Sequence, residues 1–185
     1  MRLGLPEGAL TGDAGHERWY GEAPDRSMSM ETSTSIEIDR PADEVFAFVS
    51  EFPNNPRWQR GQRSCRWTSP PPLGVGSTYD QQTHFLGREL THSFRVVELE
   101  PGRRVRFTST SGTFPLTITR TVEPLGDARS RFTEAVDGDP SGVFRIAGPI
   151  LGALVRRAIR RDFPRLKALL EAAQPSAPSP PVSSP

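Results

Sequence analysis

The stretch from residue 62 to residue 137 constrains the fold most, because its apolar and polar residues alternate with a period of two. Such alternation is typical of β-strands with one buried face. Turn-forming dipeptides interrupt the stretch at short intervals, at Leu86-Gly87, Pro101-Gly102, Ser111-Gly112 and Gly126-Asp127. The pattern therefore predicts antiparallel strands joined in sequence by short turns. The predicted strands lie near residues 75–85, 88–99, 103–109, 114–123 and 129–137.

Other periodicities flank this segment. Residues 33–38 predict a further strand, and Asp39-Arg40-Pro41 then opens a short helix that ends before Pro53. Residues 143–172 follow the helical period, which predicts one long amphipathic helix. Because one sheet cannot bury its apolar face alone, we expect this helix to cover it. The predicted fold class is α+β, with a curved antiparallel sheet wrapped around a long C-terminal helix and a ligand-sized gap between them.

The two ends of the chain differ in composition from this core. Residues 1–30 show no periodicity, and residues 173–185 consist mainly of Pro, Ser and Ala. The C-terminal segment cannot bury enough apolar surface to offset its chain entropy, so we predict a disordered Pro/Ser-rich tail after residue 172. Residues 1–30 are either a disordered extension, or the true start codon is Met28 or Met30 and residues 1–27 are not made in the cell. A single domain is expected at residues 31–172.

Charge and cysteine content exclude several classes of protein. The chain carries 23 basic and 22 acidic residues, so no overall field favours nucleic acid. No stretch approaches the ~20 apolar residues that an integral membrane helix needs. Cys65 is the single cysteine, which rules out an internal disulfide and predicts a reducing, cytoplasmic compartment. It shows no metal-ligand spacing, and we expect neither a metal nor a cofactor.

Five short segments, taken in order, carry a family resemblance. They are residues 36–46 (IEIDRPADEVF), 55–58 (NPRW), 74–77 (GVGS), 98–104 (ELEPGRR) and 161–171 (RDFPRLKALLE). Together they resemble the SRPBCC superfamily, also called START-like or Bet v 1-like, which includes polyketide cyclase/dehydrase and lipid-transport families. The resemblance implies a helix-grip fold, with two short helices after the first strand and a hydrophobic cavity between sheet and helix. Because members bind lipids, sterols, polyketides or plant hormones, and some catalyse cyclisation or dehydration, the fold alone does not assign a function.

The turns predict which side chains share the inward face of the sheet. A turn at Leu86-Gly87 pairs Phe85 with Arg88 and Gln81 with His92. The first inward set is then Tyr79, Gln81, Thr83, Phe85, Leu90, His92, Phe94 and Val96. A turn around Gly126 is expected to pair Val122 with Ser130, Arg120 with Phe132 and Ile118 with Glu134. The second inward set is then Phe114, Leu116, Ile118, Arg120, Val122, Phe132, Glu134 and Val136.

Polar side chains on this inward face are the candidates for chemistry. The second register makes Arg120 and Glu134 diagonal neighbours, close enough to be each other's partner. They either close one end of the sheet or contact a polar group of a ligand. His92, opposite Gln81, is either a satisfied core or rim histidine, or a hydrogen-bond donor or general acid/base in the cavity.

The prediction for function is binding of a small hydrophobic ligand, a lipid, polyketide or aromatic compound, in the gap between sheet and helix. The alternative is a polyketide cyclase/dehydratase-type enzyme in which His92 or Glu134 moves protons. Trp58 is expected at the cavity rim. The predicted ligand-binding residues are Trp58, Trp67, Tyr79, Gln81, Phe85, His92, Phe94, Phe107, Phe114, Arg120, Phe132, Glu134, Phe144, Leu151 and Val155.

The last helix also carries a basic face, formed by Arg156, Arg157, Arg160, Arg161 and Arg165. Such a face is either a solvated outer surface or a site of weak contact with an anionic surface. Asp162 interrupts the run and no aromatic residues are interleaved with it, which favours the solvated surface.

Overall fold

The computed structural model describes residues 30–85, 87–112, 115–138 and 148–173. The two predicted tails therefore lie almost wholly outside the described residues, and the domain boundaries stay a prediction. Phe114 and Phe144 also lie outside this part of the chain, as does the side chain of Phe85.

The chain begins with β1 (Met30–Ile38), followed by α1 (Ala42–Ser50), a 3-10 turn (Phe52–Asn54) and α2 (Asn55–Trp58). Six strands follow and α3 (Gly148–Ala172) ends the fold. The strands are β2 (Gln62–Trp67), β3 (Thr78–Phe85), β4 (Arg88–Glu100), β5 (Arg104–Ser109), β6 (Leu116–Pro124) and β7 (Ser130–Gly138). They form one antiparallel sheet in the order β1-β7-β6-β5-β4-β3-β2. The predicted α+β helix-grip fold, with a curved sheet, a long C-terminal helix and two short helices after the first strand, is confirmed. Within the described part of the chain, no helix combines the length and apolar content needed to cross a membrane.

The first predicted hairpin register is confirmed. Phe85 pairs with Arg88 and Gln81 with His92, and Gly87 closes the turn with a φ of +77° that favours glycine. The two-residue loop fixes the register because it leaves the flanking strands little freedom to slip.

The second predicted register is wrong by two residues. The structure pairs Val122 with Phe132 and Arg120 with Glu134. The strands separate after Pro124 and Ser130, and the loop between them is closed by the Leu125 N–H, which donates to the Arg129 carbonyl at 2.8 Å. The turn is therefore centred on Asp127 and not on Gly126. A shift of two leaves the same face inward, but it places Arg120 directly opposite Glu134 instead of diagonally.

The helix α3 packs on the sheet through its C-terminal half. Ile159, Phe163, Leu166 and Leu170 are buried there. Its Phe163 ring lies 6.3 Å from that of Trp58 and 5.3 Å from that of Phe132. A second aromatic group surrounds Phe52, whose ring lies 4.3 Å from that of Tyr79 and 4.6 Å from that of Phe107. In the N-terminal half of α3, Leu151 and Val155 are only partly buried, and a cavity lies beside them.

Candidate functional site

A cavity of about 590 Å³ lies between the inward face of the sheet and the N-terminal half of α3. This volume falls within the ~300–1,000 Å³ that is typical of small-molecule sites. Its apolar walls come from both sides, from β4, β6 and β7 below and from the helix above. The apolar lining residues are Leu90, Leu116, Ile118, Val136, Leu151, Val155, Ala158 and Ile159.

Polar side chains occupy part of the same lining. They come from the α2–β2 junction, from β3, β4 and β7, and from α3. They are Gln59, Gln62, Gln81, Thr83, His84, Arg88, His92, Glu134, Arg161 and Asp162. Within the part of the chain that the structure describes, no group of three or more His, Cys, Asp or Glu side chains could hold a metal ion.

Arg120 and Glu134 form a buried ion pair behind the cavity wall. The Arg120 Nε donates to Glu134 Oε2 at 2.7 Å, and the two side chains are 2% and 4% exposed. The Arg120 Nη1 also donates to the Val49 carbonyl at 2.7 Å and to Asn55 Oδ1 at 2.9 Å. Arg120 thus ties the sheet to the end of α1 and to α2, while Glu134 reaches the cavity lining.

Aromatic rings surround the Arg120 guanidinium. Its Cζ lies 5.2 Å from the ring centroid of Trp58, 5.5 Å from that of Phe107 and 5.6 Å from that of Phe52. Cation–π attraction and charged hydrogen bonds together offset the loss of hydration. The structure therefore places Arg120 in the core and outside the cavity lining.

His92 also lies on the cavity lining. It is 6% exposed, and burial lowers its pKa. Its Nδ1 is buried and has no hydrogen-bond partner among the described residues. The ring edge packs tightly against Gly112, where an added Cβ would lie 2.0 Å from Cδ2. The packing therefore holds the imidazole in one position, and burial favours its neutral form.

Replacing His92 with Phe should leave the melting temperature unchanged or raise it, because the change removes a polar group from a buried site that leaves Nδ1 unpaired. The lowered pKa adds a pH signature. Below about pH 6.5 the unfolded chain binds a proton at His92 that the folded chain binds less readily, so the wild-type protein should lose stability as the pH falls. Thermal melts between pH 5 and pH 8 should show a smaller loss in His92→Phe. A fall of more than about 5 °C at pH 7 would instead reveal a structural partner for the imidazole.

Several predicted site residues lie in the packed core instead of the cavity lining. Trp58, which we expected at the rim, is 0% exposed and contacts Phe132 and Phe163. Tyr79, Phe94, Phe107 and Phe132 are buried in the same way. Trp67 is half-buried, and its Nε1 donates to Glu51 Oε1 at 2.8 Å. The physical reason is that Phe52 and α2 fill this half of the concave face, so the aromatic rings pack against them and each other.

Five of the predicted residues do lie together on the cavity lining. They are Gln81, His92, Glu134, Leu151 and Val155. Their contact with a ligand stays a prediction, as does that of Phe85, Phe114 and Phe144.

Sequence reasoning missed Gln59, Gln62 and Asp162. Helical spacing could have identified Asp162, because it continues the series Leu151, Val155 and Ile159 along one face of α3. The two glutamines gave no signal, since their position depends on how the α2–β2 junction folds.

The sequence profile of a family described as polyketide cyclase/dehydrase and lipid transport matches residues 29–171. The chain belongs to this family. No curated protein matches it.

Solved structures with a similar fold support the architecture of this family member. A START superfamily protein from Mycobacterium smegmatis has a TM-score of 0.68 at 17% identity, over 76% of this chain and 97% of that one. The Zhui aromatase/cyclase from Streptomyces sp. R1128 has a TM-score of 0.65 at 14% identity, over 77% and 94% of the two chains. A protein from Thermus thermophilus has a TM-score of 0.66 at 15% identity, over 77% and 97%. At such identities the likeness shows the fold alone.

The basic face of α3 is split between two surfaces in this family member. Arg156, Arg157 and Arg160 line an outer groove with Ile150, Ala153 and Leu154, all from the one helix. Arg161 instead borders the cavity. The four guanidinium groups are exposed, and their weak contact with an anionic surface stays a prediction.

Proposed function

We propose that this polyketide cyclase/dehydrase and lipid-transport family member binds a small hydrophobic molecule in the cavity between sheet and α3. The observation that carries the proposal is the apolar lining contributed from both sides of a space of about 590 Å³. Apolar side chains that line a cavity make fewer contacts with neighbouring side chains than those in the packed core do. A ligand that fills the space restores those contacts and removes apolar surface from water, at about 25 cal/mol per Å².

The proposed ligand is a lipid, polyketide or aromatic compound of a size that fits this cavity. The family description, which covers polyketide chemistry and lipid transport, supports this range. A cytoplasmic location is part of the proposal and rests on the single, unpaired Cys65.

Native mass spectrometry of the protein purified from its own host tests the proposal. We expect a species heavier than the chain by the mass of one small molecule, which denaturation releases into an organic extract. Proteins that carry no ligand, and that also fail to take up an apolar fluorescent probe such as 1-anilinonaphthalene, would contradict ligand binding in this cavity.

A second candidate function is cyclisation or dehydration of a poly-β-ketone, because His92, Glu134 and Asp162 all border the cavity. A neutral imidazole suits removal of a proton next to a carbonyl, and a carboxyl group suits protonation of the leaving hydroxyl. Incubation with a poly-β-ketone thioester separates the two functions. Turnover that falls about 10²–10⁴-fold in His92→Phe, while substrate still binds, would favour the enzyme. Recovery of unchanged substrate from the wild-type protein would favour binding alone.

A further inference from the structure

Asp162 borders the cavity and holds a buried carboxylate oxygen that has no hydrogen-bond partner in the described part of the chain. The residue is 6% exposed, lies on α3 and borders the cavity. Its Oδ1 is buried and has no hydrogen-bond partner among residues 30–85, 87–112, 115–138 and 148–173. The nearest cation, Arg161 Nε, is 3.8 Å away, which is too far for a hydrogen bond. Folded proteins rarely leave such a group unpaired, and those that do often use it for function.

Burial raises the pKa of Asp162, although the Arg60 N–H and the guanidinium groups of Arg161 and Arg60 act to lower it. The nearby Glu134 carboxylate raises it further. The charged form of the carboxyl group is therefore less favoured at this position than in water.

Gln59 and Gln62 border the same cavity, and each holds a buried amide oxygen without a partner in the described part of the chain. The Trp58 ring packs 6.3 Å from that of Phe163, which brings the next residue, Gln59, to the part of α3 that carries Asp162. The Gln62 N–H donates to the Gln59 carbonyl at 3.1 Å, so both amide side chains start from one tight junction. The Oε1 atoms of both are buried without a partner in the described part of the chain.

The chemistry of these groups defines what they can bind. An amide can turn to offer either its oxygen or its NH₂ group, whereas a carboxylate only accepts hydrogen bonds. Asp162 therefore requires a donor on the ligand. Arg60 and Arg161 lie close to it, and the Glu134 carboxylate is already neutralised by Arg120. With no excess negative charge, the site favours a neutral hydroxyl over an ammonium group.

We propose that Asp162, supported by Gln59 and Gln62, receives a hydroxyl group of the ligand, so that the ligand is an alcohol or phenol with an apolar body. This inference rests on the ligand-binding function proposed above and names the class of ligand. The apolar body lies against Leu151, Val155 and the sheet, and the hydroxyl points to the α2–β2 junction.

Three compounds that share a naphthalene ring test the inference. The full chain is first treated with an apolar resin to remove any bound ligand, and each compound is then titrated by calorimetry or fluorescence. 2-Naphthol has the hydroxyl, 2-methoxynaphthalene lacks the donor, and 2-naphthylmethylamine carries an ammonium group. We expect the wild-type protein to bind 2-naphthol at least about 10-fold more tightly than 2-methoxynaphthalene or 2-naphthylmethylamine. One good buried hydrogen bond changes an affinity by about this factor. A purely apolar cavity would prefer the methoxy compound.

The variants Asp162→Leu and Asp162→Asn isolate the carboxylate. Asp162→Leu should lose the preference for 2-naphthol while binding 2-methoxynaphthalene at least as tightly as before, and Asp162→Asn, which keeps an acceptor, should retain part of the preference. Asp137→Leu, on the outward face of β7, removes the same charge from an exposed site and should bind all three probes as the wild type does.

Results that contradict the hydroxyl site differ from results that contradict ligand binding itself. If the wild-type protein binds the naphthalenes without preferring 2-naphthol, or if Asp162→Leu keeps the preference, the hydroxyl site is overturned and ligand binding stands. A preference for the ammonium compound would overturn the choice of a neutral donor. Binding of none of the probes would overturn the proposed function and this inference with it. Melting curves of both variants check the fold, and Asp162→Leu should melt no lower than the wild type at pH 7.

Discussion

Replacing Arg120 with Met should lower the free energy of unfolding by about 3–5 kcal/mol, because it leaves the Glu134 carboxylate buried without a partner. The pair is 2% and 4% exposed, so bulk water compensates little for the lost guanidinium. The change also removes the bonds to the Val49 carbonyl and Asn55 Oδ1, which hold α1 and α2 against the sheet. No other buried side chain described here connects as many separate elements.

Thermal and denaturant unfolding measure this loss, which we expect to appear as a fall in melting temperature of about 10 °C in a chain of this size. The double variant Arg120→Met/Glu134→Leu is the matched control. It should recover much of the stability, since removing both charges also removes the cost of their dehydration. A loss of less than about 1 kcal/mol in Arg120→Met would show that water or another group satisfies Glu134.

The fold was predictable because turns and the alternation of apolar and polar residues, which are local features of the sequence, determine it. The short turn that Gly87 closes leaves only one register for β3 and β4, and alternation then assigns the side chains of both strands to a face. The longer loop after Pro124 contains glycine away from its centre, and no local rule selects where such a loop begins and ends. That is why the Arg120–Glu134 pairing was expected as a diagonal contact and found as a direct one.

The division of the inward face into core and cavity was not predictable. Alternation assigns Tyr79 and Phe94 to the same face as Gln81 and His92, and it does so correctly. It does not indicate which part of that face is filled by Phe52 and α2 and which part stays open. That outcome depends on long-range packing, so the bulkiest aromatic residues, which look most suited to a hydrophobic ligand, pack against each other.

A tryptophan in place of Ala158 should abolish ligand binding while leaving the fold intact. Ala158 lies on the cavity lining, between the helix and the sheet. An indole ring at this position occupies the space that the ligand needs, so we expect the affinity for 1-anilinonaphthalene to fall at least about 100-fold, the loss of roughly 2.7 kcal/mol of binding free energy. The stability should change little, since the ring enters space that the folded chain leaves open and overpacking costs arise only where side chains must move.

The control for this variant is Ala168→Trp, which places the same side chain on the same helix at an exposed position outside the lining. Fluorescence titration should give it the wild-type affinity. Because both variants add one indole to α3, their comparison separates filling of the cavity from general effects on the helix. If Ala158→Trp binds the probe as the wild type does, while its melting temperature shows that it is folded, the ligand occupies another part of the molecule. The outer groove lined by Ile150 and Leu154 would then be the next surface to test.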